Sequence, residues 1–125
     1  MKHIKLIITG ILLMFFSCSE KEDRKVITFE NQEEHLTIIC KDGKYLIFND
    51  LVLLDSIPTT GYVVNEGGIE YFAALVMWKN GIAYLYHQYG SFNESHNNGS
   101  IVLEKVTTKQ FENLKKQPGY NYFFY

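Results

Sequence analysis

Short runs in which apolar and polar side chains alternate, separated by paired turn residues, divide this chain into predicted β-strands. Asp42-Gly43, Asn80-Gly81 and Asn98-Gly99 supply the positive φ angles of two-residue type I′ turns, so each predicts a hairpin. The first joins residues 35–41 to 44–49, pairing Cys40 with Tyr45 and Ile38 with Ile47 on one face and Ile39 with Leu46 on the other. The second joins residues 69–79 to 82–89, the longest apolar pair and hence central. One of its faces carries Phe72, Ala74, Val76 and Trp78 against Ala83, Leu85, His87 and Tyr89. The other carries Tyr71, Ala73, Leu75 and Met77 against Ile82, Tyr84, Tyr86 and Gln88. The third is weaker, because residues 91–97 are polar and 92–100 reads equally well as a loop.

Residues 26–30 predict an opening strand, Leu51-Val52-Leu53-Leu54 a short strand before a turn, and residues 61–65, 101–106 and 120–125 three more. A single helix is predicted from Thr107. Thr107 and Gln110 have capping-box spacing, Val106 and Phe111 staple spacing, and Pro118-Gly119 stops it, with Phe111 and Leu114 facing the core. The expected fold is mostly β (α+β by count). It is an antiparallel sheet or small sandwich of about seven or eight short strands with one C-terminal helix, within a single domain at 26–125.

Upstream of that domain the pattern changes. Lys2, His3 and Lys5 precede an apolar run at 4–16, which is the charged and apolar order of a secretory leader and too short for a membrane span. The run ends in Phe15-Phe16-Ser17-Cys18, which resembles the lipobox of bacterial lipoproteins. That resemblance covers the N-terminal segment alone, and no family is recognised for the mature domain. It implies that residues 1–17 are a signal peptide, that Cys18 carries diacylglyceryl (and palmitate-type acyl) chains, and that the mature protein sits on the cell envelope. Several acyl chains hold a bilayer durably, since each buried methylene adds about 0.8 kcal/mol. Residues 18–25 read as the lipidated cysteine and a charged tether. Their acidic character resembles the export signal by which some Gram-negative groups place lipoproteins on the cell surface, and a plain hydrophilic spacer explains them equally.

Charge narrows the partners. The whole chain carries a net −2, and two lysines leave with the leader while all fourteen acids stay, which argues against nucleic acid and anionic lipid headgroups. With Cys18 lipidated, Cys40 would be left alone as a buried, inert thiol. Aromatic residues make up 15% of the chain, enough that some are expected at the surface.

No constellation carries catalysis. Glu94-Ser95-His96 offers a single imidazole, so no metal or other cofactor is expected, and the asparagine-rich loop around it reads as solvated. His87 is a general base only if a nucleophile or carboxylate reaches it, and the sequence shows none. Tyr71, Tyr84 and Tyr86 share one face of the central hairpin, and Tyr120 and Tyr122 lie together on the last strand. They form either a binding surface or core under another layer. The function expected is a non-catalytic envelope lipoprotein that binds a protein, such as an inhibitor, an immunity factor or an accessory subunit. A carbohydrate-binding lipoprotein is the first alternative and a small hydrolase at His87 the second.

Overall fold

In the computed structural model the residues described are 23–28, 33–66 and 73–124. Two sheets face each other. Sheet A has the order β1-β2-β3-β4-β7, from Asp23–Thr28, His35–Lys41, Lys44–Phe48, Tyr62–Asn65 and Phe92–Asn93. Sheet B has the order β8-β6-β5-β9, from Ile101–Lys105, Ile82–His87, Ala73–Lys79 and Asn121–Phe124. The one α-helix among the described residues, α1, spans Thr108–Lys115. The expected mostly β architecture with a C-terminal helix holds, in its sandwich form.

Alternation along each strand builds the core. Leu36, Ile38, Cys40, Tyr45, Ile47 and Val63 of sheet A meet Ala74, Val76, Ala83, Leu85, Ile101 and Phe123 of sheet B, all buried. Registers in the first two hairpins are those the turns predict, with Ile38 opposite Ile47 and Met77 opposite Tyr84. Asp42 and Asn80 take φ of 52° and 54°, the left-handed conformation these turns demand.

Three elements differ from expectation. Asn98-Gly99 closes no hairpin: residues 92–93 pair with β4 in sheet A, while β8 lies parallel to β6 in sheet B. The asparagines are used differently. Asn97 Oδ1 accepts from the Gly99 amide and Asn98 Oδ1 from the Ser100 amide, so the side chains set the local turns. The run 51–54 is not a strand either. Val52 is buried over the outer face of sheet A, the leucines around it are exposed, and a single 3-10 turn follows at Leu54–Ser56. The Thr37 hydroxyl donates to the Asp50 carbonyl at 2.6 Å and accepts from the Val52 amide at 3.1 Å, taking backbone groups that a strand would use in a ladder.

Cys40 is the third. It is buried as expected but disulfide-bonded, not a lone thiol. Asp23 lies opposite Cys40 in the β1–β2 pairing, so the chain enters the sheet beside it. The sequence's other cysteine is Cys18, outside the described residues. β1 itself begins at Asp23, so the last three residues of the expected tether belong to the sheet.

The helix is capped as its sequence predicts. Thr107 Oγ1 accepts from the Gln110 amide at 3.2 Å, and Gln110 Oε1 accepts from the Thr107 amide at 2.9 Å. Phe111 is buried and Leu114 half-buried. No helix among the described residues is long and apolar enough to cross a membrane.

Candidate binding surfaces

Alternation sends Leu75, Met77, Tyr84, Tyr86 and Tyr122 to the outer face of sheet B, where Leu75 lies between its register partners Tyr86 and Tyr122. Leu75 is fully buried, whereas Tyr84, Tyr86 and Tyr120 are half-buried and Tyr122 is 42% exposed. The face is therefore neither core nor bare surface. Phe111 of α1 meets the Tyr122 ring edge-on at 6.3 Å, and Lys115 Nζ stands 4.2 Å from the centre of the same ring. Tyr86 and Tyr120 pack edge-to-face with centroids 5.4 Å apart. Burial raises the Tyr86 pKa above the usual phenol value, and the neighbouring Tyr120 raises it further.

Four of the five tyrosines singled out from the sequence, Tyr84, Tyr86, Tyr120 and Tyr122, thus meet on one surface. Tyr71 and Cys18 lie outside the described residues.

A second surface was not legible in the sequence. An open groove of about 470 Å³ runs along the outer face of sheet A, between Lys41 and Lys44 of the first hairpin, Ile57-Pro58, and Asn93 and His96. His96 stacks on Tyr62 with centroids 4.8 Å apart and planes 10° from parallel. The His96 carbonyl accepts from the amides of Gly61 at 2.7 Å and Tyr62 at 3.3 Å and from the Thr60 hydroxyl at 3.2 Å. The loop expected to be merely solvated is thereby clamped to the start of β4. These contacts span more than thirty residues, and only the positive φ of 88° that Gly61 adopts has a local sequence counterpart. Among the described residues no group of three or more His, Cys, Asp or Glu side chains is placed to hold a metal ion.

His87 points between the sheets, 6% exposed, with its ring 4.6 Å from that of Phe92 and its Nδ1 without a hydrogen-bond partner. Burial lowers its pKa, a hydrogen bond to the Tyr89 backbone opposes the shift, and Lys105 adds to it. The unfolded chain therefore takes up a proton more readily than the folded one. The stability this gives is complete above the ordinary imidazole value of about 6.5 and is lost as pH falls through the lowered folded value. His87→Gln is expected to flatten that loss, measured as the difference in urea midpoint between about pH 7 and about pH 5.

No family model, curated protein or solved structure matches this chain.

Proposed function

We propose that the chain is a lipid-anchored envelope protein whose sandwich binds a protein partner through the outer face of sheet B. The observation that carries the binding reading is the half-open cluster of Tyr84, Tyr86, Tyr120 and Tyr122, since partly exposed amphipathic aromatic rings suit protein interfaces. Their arrangement favours a protein over a sugar. Saccharide rings stack on flat, open aromatic faces, but Tyr86 and Tyr120 are edge-to-face and Lys115 already occupies one side of Tyr122. The hydrolase reading gains no support, because His87 is enclosed against the Phe92 ring and the charge acting on it is the Lys105 ammonium, not a carboxylate that could orient it as a base.

The anchor rests on the leader and on Phe15-Phe16-Ser17-Cys18. It has a chemical competitor: a Cys18 sulfur in a thioether cannot also join Cys40 in a disulfide. Intact-mass measurement of the envelope-purified protein, before and after reduction, separates the two. The expected species begins at Cys18, carries acyl chains and has Cys40 as a free thiol in place of the disulfide that the structure holds there, and Cys18→Ala is expected to abolish fatty-acid labelling and release the protein from membranes. A peptide linking Cys18 to Cys40 would instead make this an exported, unanchored domain. The binding surface is tested by cross-linking in intact cells, where Tyr84→Ala and Tyr122→Ala are expected to lose an adduct that the wild type forms.

A further inference from the structure

Exposed leucines cluster at one place. Leu51, Leu53 and Leu54 are 55%, 54% and 36% exposed, in a loop of otherwise fixed backbone. Val52 between them is plugged into the outer face of sheet A with Ile39 and Phe48. The Thr37 hydroxyl holds both Asp50 and Val52, the Leu51 amide donates to Asp50 Oδ1 at 2.7 Å, and the Ser56 amide closes on the Leu53 carbonyl at 3.2 Å. Three large apolar side chains are thus displayed on a pre-ordered support.

What covers them is indicated by where the chain enters. Arg24, the second residue of β1, donates from Nε to the Val52 carbonyl in the middle of the leucine loop. Five residues lie between Cys18 and Arg24, and the six steps from one to the other span about 20 Å when fully extended. An acylated Cys18 therefore tethers the leucine loop within reach of the bilayer surface. We propose that Leu51, Leu53 and Leu54 insert into the lipid interface as a second, non-covalent contact that lays the outer face of sheet A toward the membrane. This rests on the lipid anchor proposed above. Tethering makes the second contact intramolecular, so even a weak apolar insertion is populated. Asp55 is exposed beside the leucines, which makes an anionic surface unfavourable and identifies the occupant as the apolar and zwitterionic part of the interface.

The test uses the full lipidated chain in phosphatidylcholine vesicles with and without bromine on the upper acyl chain. Leu53→Trp introduces an indole at the loop, and the wild type, whose single tryptophan is Trp78, supplies the baseline. A blue shift and bromine quenching beyond that baseline, unchanged by added salt, are expected. Emission typical of solvent-exposed indole from protein that does carry the fatty-acid label overturns the insertion and leaves the anchor intact. Absence of the label overturns the anchor itself. Solvent-like emission in vesicles that turns blue only in native envelope assigns the loop to a protein and overturns the bilayer as its occupant.

Discussion

Phe48→Ala is expected to cost about 3–5 kcal/mol, the range for removing a large aromatic side chain from a well-packed site. Phe48 is 1% exposed on the outer face of sheet A, where it packs with Ile39 and Val52 and meets the Tyr62 ring at 4.8 Å. This small cluster is separate from the core between the sheets. It binds the loop at 50–60 to the sheet, with Leu46, Ile57 and Tyr62 packed around it on the outer face. Out of a total of about 5–15 kcal/mol for a typical domain, the loss is large. Urea unfolding measures it, and limited proteolysis locates it, with cleavage first expected between Asp50 and Thr60. A cost below about 1 kcal/mol would mean that the loop is held by its backbone hydrogen bonds and not by the cluster.

Asn49→Ala follows, with an expected loss of about 2–3 kcal/mol from three hydrogen bonds of about 1 kcal/mol each. Asn49 Nδ2 donates to the Gly81 carbonyl at 2.8 Å and the Ser100 carbonyl at 2.9 Å, while its Oδ1 accepts from Trp78 Nε1 at 2.7 Å. One side chain at the end of β3 thus ties sheet A to the β5–β6 turn, to the start of β8 and to the one indole of the chain. Asn49→Asp is expected to be worse than its shape suggests, because it turns a carboxylate oxygen toward two carbonyls. Trp78 fluorescence reports the change directly, and a double-mutant cycle with Trp78→Phe isolates the indole bond.

These two residues mark the limit of what local sequence conveys. The hairpins at Asp42-Gly43 and Asn80-Gly81 were legible because turn geometry is decided by two adjacent residues, and the helix because Thr107 and Gln110 cap it from within. Leu51-Val52-Leu53-Leu54 has the composition of a strand, and only the Thr37 hydroxyl, thirteen residues away from Asp50, turns it into a pinned loop. Nothing next to Ile101–Lys105 in sequence says that its neighbour will be β6 in parallel, since a crossover is selected by the packing of whole sheets. The same division applies to function. Tyr84 and Tyr86 were placed on one face by alternation alone, but the company of Tyr120, Tyr122 and Phe111 depended on where β9 and α1 came to rest. Asn49 read as the polar end of a strand, and the Tyr62–His96 groove left no local trace.

The path from β6 through β7 to β8 leaves one layer, takes two rungs on the edge of the other, and comes back. That stitch laces the layers together covalently as well as by packing. Neither sheet can peel away while the other stays intact, so the two layers should part in one step, with only surface segments such as the loop at 50–60 able to open ahead of them.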